Sequence, residues 1–200
     1  PYVVWFLPGM AMWQCINDTV MSASASIRTY SYLVKKVVFP VDIIPIISII
    51  ASGFVSLFLF TVAIVVGCIF NYVPNFGQII YIIIAAYAFM ISFTRFTSAV
   101  TTLVPDFAQL LGIMMQLFFW FTPVVWNLSM LSNHPTILKF MKCMPFNYLV
   151  SGFRDSFISS NIVTEGHGCY TIVFWVITAI MFVWGNYIFK KSKKDFADVL

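Results

Sequence analysis

Residues 43–70, IIPIISIIASGFVSLFLFTVAIVVGCIF, carry no charged side chain. A helix of that length, rising about 1.5 Å per residue, more than covers the roughly 30 Å hydrocarbon core of a bilayer. The rest of the 200-residue chain agrees with this run. It is 61% hydrophobic and 9% charged, with a mean hydropathy of +0.94, whereas soluble domains carry about a quarter charged residues. The fold class these numbers imply is an all-α integral membrane protein. Within the run, Ser48, Ser52 and Ser56 recur four residues apart beside Gly53, a spacing of small residues that lets a neighbouring helix approach closely.

On the N-terminal side lies residues 26–45, SIRTYSYLVKKVVFPVDIIP, with three cations, Arg28, Lys35 and Lys36, and one anion, Asp42. Ile27, Tyr30, Leu33, Val34, Val37 and Val38 recur at three- and four-residue steps, and Arg28, Ser31 and Lys35 line the other side. That pattern predicts a short amphipathic helix at the membrane surface within 26–40. Pro40 ends it near Val38, and Pro45 opens the next helix. Residues 1–24 form a preceding span that contains Pro8, Gly9, Asn17 and Asp18, so its polar groups must face protein or water.

On the C-terminal side, NYVPNFG at 71–77 reads as a turn. The third span, 78–102, has Arg95 as its only charge, either an interfacial anchor reached by snorkelling or a functional intramembrane cation. LVPD at 103–106 breaks the pattern again, and 107–126 forms the fourth span, which Thr122 and Pro123 bend or stop at its end. Residues 127–168 are too long and too apolar for a plain loop. Ile137, Leu138, Met141 and Met144 suggest one short amphipathic helix and Tyr148, Leu149, Phe153 and Phe157 a second, with Pro145 between them. Such a pair, within 131–160, is expected to be half-inserted. Residues 169–189 are the fifth span, and 190–200, KKSKKDFADVL, a basic tail.

With five spans, Arg28, Lys35, Lys36, Arg95, Lys190, Lys191, Lys193 and Lys194 share one side, against Lys139, Lys142 and Arg154 on the other. The richer side is cytoplasmic by the positive-inside rule, which puts the C-terminus inside. Pro1 is then outside, unless one further span precedes it. No signal peptide is visible, and a missing N-terminal part is the expectation.

The net charge of +4 is a topology signal rather than a nucleic-acid footprint. No catalytic constellation emerges. His134 and His167 have no acid or cysteine pattern that suggests a metal, and there is no Gly-rich phosphate loop. Cys15, Cys68, Cys143 and Cys169 read as packing residues, although Cys143 and Cys169 share the exterior side and stand as a possible pair. Asp18 is a lone carboxylate, hydrogen-bonded or facing a polar cavity. Aromatic residues make up 18% of the chain and cluster at Phe118, Phe119, Trp120, Phe121 and Trp126. They fit an interfacial belt or a conduit whose rings stack on sugar faces.

Four blocks carry a family resemblance: LVKKVVFPVDIIPI at 33–46, QLFFWFTPVVW at 116–126, MPFNYLVSGFRDSF at 144–157 and KKDFADVL at 193–200. Together and in this order the chain resembles the permease subunits of bacterial ATP-binding-cassette exporters for lipid-linked polysaccharides: O-antigen, capsule or wall teichoic acid. The resemblance implies a multi-pass protein of the bacterial cytoplasmic membrane, with a sixth span before Pro1. It also implies a homodimer joined to two copies of a cytoplasmic ATPase, and a polyprenyl-diphosphate-linked glycan as substrate. No cofactor is expected in this chain, since ATP and magnesium belong to the partner and the permease hydrolyses nothing. By the same resemblance Tyr30, Leu33, Lys35 and Lys36 couple to the ATPase. Phe118, Phe119, Phe121 and Trp126 line the conduit or gate, and Arg154 with Asp155 stabilises the exterior gate helices. Relatives usually carry Arg before the Asp of the connector ahead of the fourth span. This chain has Val104, Pro105 and Asp106 there, so no charge pair carries over. The alternatives are an exporter of a drug or free lipid, an ion-coupled secondary transporter, for which the spans hold no paired acids or inverted repeats, and a membrane-bound glycan-modifying enzyme.

Overall fold

The computed structural model describes residues 2–36, 40–131, 133–158, 168–193 and 196, with the side chains of 34–36 and 131 outside that description. Among the described residues the chain is helical and has no strand. The helices are α1 (Tyr2–Thr29), α2 (Ser31–Lys36), α3 (Ile44–Ile69), α4 (Phe76–Leu103), α5 (Phe107–Phe121), α6 (Pro135–Cys143), α7 (Pro145–Ile158) and α8 (Gly168–Ser192). A 3-10 turn, Val41–Ile43, leads into α3.

Proline and asparagine set several of the boundaries. Pro45, Pro135 and Pro145 sit in the first turns of α3, α6 and α7, where a missing N–H costs nothing. Helix α3 stops at Asn71, which takes the left-handed conformation with φ 61°. The Tyr72 N–H donates to the Gly67 carbonyl at 2.9 Å and the Asn71 N–H to the Cys68 carbonyl at 3.0 Å, which closes a Schellman motif. Asn75 then caps α4 by accepting from the Gln78 N–H.

Three helices, Val41–Ile69, Phe76–Leu103 and Gly168–Ser192, are long and apolar enough to cross a membrane. On α3 and α8 the outward faces, with Phe54, Val55 and Phe58 on one and Ile172, Val176 and Val183 on the other, stay exposed, as lipid-facing surfaces do. Helix α1 is as long as α4 but more polar, and it lies against α3, α4, α5 and α7. Four neighbours bury much of its length, while Asn17 and Asp18 stay only partly buried. Ser22 on α1 and Ser52 on α3 hydrogen-bond at 2.8 Å, so the small-residue stripe of α3 is the seam against α1.

Helices α6 and α7 cover one end of the bundle. Phe146 of α7 meets Phe89 of α4 edge-on at 5.3 Å, and Tyr148 stacks on Phe174 of α8 at 4.6 Å. The start of α4 is tied to the same helix: the Asn75 N–H donates to the Ser156 carbonyl at 2.8 Å, and Gln78 Nε2 to the Gly152 carbonyl at 2.9 Å.

The structure departs from the sequence reading in four places. The first span does not stop at Ser24: α1 runs on to Thr29, because Ser26 and Ile27 are buried and the ladder continues to Tyr30 N–H on the Ser26 carbonyl. The separate surface helix within 26–40 is therefore only Ser31–Lys36, and Val37, Val38 and Phe39 fall outside the described residues. The fourth span is helical only to Phe121, about 22 Å of helix. Thr122, ahead of Pro123, is forced to extended angles. Arg95 is no lone snorkelling anchor, since its Nη1 lies 3.6 Å from Asp42 Oδ1. Cys143 and Cys169, whose pairing the sequence leaves open, are both free thiols.

Helices α4 and α8 approach closely at Gly185. A Cβ there would stand 3.0 Å from the Ser92 carbonyl oxygen and 3.2 Å from Arg95 Cβ, and neither atom can swing aside. Gly185→Val is expected to cost on the order of 1–3 kcal/mol, the usual size for overpacking. A lowered thermal-unfolding midpoint of the detergent-solubilised protein would report it.

Candidate functional site

Two features of the bundle are built for more than packing. The first is an open groove of ≈ 420 Å³ between α1 and α5. Gln14 and Asn17 face it from near the midpoint of α1, one turn apart, and Gly112 and Gln116 face it from α5. Trp13 and Phe119 frame it, their rings 5.6 Å apart. Gln14 Nε2 also donates to both carboxylate oxygens of Asp18, at 2.8 and 3.0 Å, so that acid is hydrogen-bonded on its own helix. Uncharged amides half-way along an otherwise apolar helix do not belong against lipid. They can hold hydroxyl or amide groups of something that occupies the groove.

The second is the seat of Arg154 under α6 and α7. The residue is 5% exposed. Its Nε donates to the Trp5 carbonyl at 2.9 Å, and its Nη2 donates to the carbonyls of Pro123 and Val124, both at 3.0 Å. The guanidinium carbon lies 3.7 Å from the centre of the Trp5 ring, a cation–π stack. Gly9, next to Pro8 in α1, makes room for it: any Cβ at Gly9 would overlap Nη2. Burial lowers the guanidinium pKa to about 10, with the Asp155 charge opposing the shift, so the group stays cationic at neutral pH. Arg154 thereby fastens α7 to the start of α1 and to the end of α5. Above it, a cavity of ≈ 400 Å³ is lined by Lys142, Asn147, Ser151, Asp155 and Tyr170. Asn147 Nδ2 donates to the Met141 carbonyl and Ser151 Oγ to Asn147 Oδ1, which fixes the corner between α6 and α7.

A sequence model of the ABC-2 type transporter family matches residues 2–158, well over half of the chain. The chain belongs to that family. It is similar to two proteins of Klebsiella pneumoniae, each named O-antigen export system permease protein RfbA. They are 25% and 23% identical, and each alignment covers all of this chain and 76% of the relative. The protein is thus a multi-pass ABC exporter permease, of a family that works with an ABC ATPase.

In this ABC-2 permease the aromatic cluster does not form one wall. Four consecutive residues of a helix point in four directions. Phe119 reaches the groove, while Phe118 stacks on Phe146 at 5.0 Å. Trp120 and Phe121 are 64% and 54% exposed. Trp126 folds back, its Nε1 donating to the Trp120 carbonyl at 3.1 Å. At the opposite end Tyr30 is 40% exposed and Leu33 is half-buried, while the side chains of Lys35 and Lys36 are outside the description. Asp155 is exposed beside buried Arg154. Sequence reasoning missed Gln14, Gln116 and Gly112 in the groove, and it missed Tyr32, which is 56% exposed beside Tyr30. The signal for the first was present, since Gln14 and Asn17 are amides one turn apart in an apolar run.

Proposed function

We propose that this permease exports a lipid-linked polysaccharide across the cytoplasmic membrane, as a homodimer driven by ATP hydrolysis on two copies of a separate ATPase. The observation that carries the reading is the α1–α5 groove. The amides of Gln14, Asn17 and Gln116 beside the half-buried Phe119 ring suit a glycan, whose hydroxyls bond amides and whose pyranose faces stack on rings. The printed names of the relatives, O-antigen export permeases, support the same substrate class. In this reading the segment from Tyr30 to Lys36 meets the ATPase from the cytoplasmic side, and Arg154 fastens α7 to α1 and to the end of α5.

Two measurements test this. The permease is expected to co-purify with an ABC ATPase from its own cells, and the pair Tyr30→Ala with Tyr32→Ala to lower that recovery about tenfold, as loss of aromatic anchors does at an interface. In proteoliposomes the complex is expected to hydrolyse ATP faster with polyprenyl-diphosphate-linked O-polysaccharide than with the carrier lipid alone. Equal stimulation by a free lipid or a drug would instead make it an exporter of that class.

A further inference from the structure

We propose that Asp42 is a positioning residue of the coupling step: it fastens the 3-10 turn at the start of α3 to both α4 and α8, so that a push on the α2 region is passed to those helices together. The inference rests on the coupling role proposed for the α2 region. Asp42 lies in the 3-10 turn that follows the connector. One carboxylate oxygen lies 3.6 Å from Arg95 Nη1 on α4. The other pairs with Lys193 Nζ, just past the end of α8. Arg95 in turn sits over the Phe189 ring of α8, 5.3 Å from its centre. Phe189 is fully buried and meets the equally buried Phe196 of the tail edge-on at 5.6 Å. Val41, which opens the turn, and Ile44, just after it, close the same apolar cluster with Ile27 and Ala99. One carboxylate thus joins three segments that are far apart in sequence, over an apolar base that the tail completes.

The geometry separates two roles. Asp42 pairs with Arg95 and Lys193 and is not one of the side chains assigned to docking, Tyr30, Tyr32 and Leu33. What its loss removes is the tie between the start of α3 and the two helices that run back to the α6–α7 end. A link of this kind is a coupling free energy between two sites, which commonly amounts to about tenfold in the linked property.

The test uses full-length permease with its ATPase in cells that make a lipid-linked O-polysaccharide. Three quantities are read: ATPase co-purification, ATP hydrolysis and surface glycan. With Asp42→Asn, co-purification and hydrolysis are expected to stay at the unmodified level, while glycan exported per ATP falls about tenfold. Asp42→Glu is expected to restore most of it. If Asp42→Asn does not accumulate in the membrane, Lys193→Met cuts one arm of the link at an exposed site, and the same drop in glycan per ATP is expected. Unchanged export per ATP in the substituted protein overturns the proposal, and so does a loss of ATPase recovery in step with export, which would make Asp42 part of the docking surface. If the unmodified permease recovers no ATPase, the coupling role fails first, and that result is distinct from either.

Discussion

Arg154→Met is expected to lower the stability of the purified permease by on the order of 3 kcal/mol, the scale seen when a buried, hydrogen-bonded charge network is broken, and to abolish export. The substitution removes three charge-assisted hydrogen bonds and the stack on Trp5, and it leaves the carbonyls of Pro123 and Val124 without this buried donor. Arg154→Lys is expected to recover little. An ammonium donates from one point and cannot lie flat on an indole while reaching carbonyls on two different segments. The argument has an internal control at Gly9, where the three nearest atoms that an added Cβ would meet all belong to the guanidinium. Gly9→Ala should therefore be strongly destabilising alone and close to neutral in an Arg154→Ala background, a large coupling in a double-mutant cycle. Thermal unfolding in detergent measures the cycle. Additive effects would mean that the Arg154 seat is not what Gly9 serves.

The features that were legible before any coordinates are those written in side-chain chemistry at short range. Pro45, Pro135 and Pro145 mark helix starts and Pro123 a helix stop, because a missing N–H and a fixed φ act within one turn. The two short helices around Pro145 are where the apolar spacing puts them. The partners of Arg154 were not legible. They are backbone carbonyls, and a carbonyl leaves no trace in a sequence. The partnership of Asp42 with Arg95 and Lys193 was hidden for another reason: each pair spans a long stretch of chain, and only the packing of α4 against α8 brings them together. The divergence of Phe118, Phe119, Trp120 and Phe121 was legible as well, since adjacent helical residues diverge by about 100°. The break at Tyr30 was invisible because nothing in the residues from Ser26 to Thr29 forbids a helix. Their burial in the bundle carried α1 onward.

Gly112→Trp is expected to reduce export to the level of cells lacking the permease, with the protein folded and still bound to its ATPase. Gly112 stands in the wall of the α1–α5 groove, opposite Gln14 and Asn17. The nearest atom to a Cβ added there is Met21 Cε at 3.7 Å, ordinary van der Waals distance. The backbone therefore tolerates a side chain, and what an indole would fill is the groove itself. Gly112→Ala should export normally and gain up to about 1 kcal/mol from helix propensity, which separates the effect of volume from the loss of glycine. Ile113→Trp gives the matching control, because Ile113 is 60% exposed on the same helix and its side chain points away from the groove. Surface glycan is measured in all three, alongside ATPase recovery. If Gly112→Trp exports as well as Ile113→Trp, the substrate does not pass between α1 and α5, and the amides of Gln14, Asn17 and Gln116 must answer to a neighbouring helix instead.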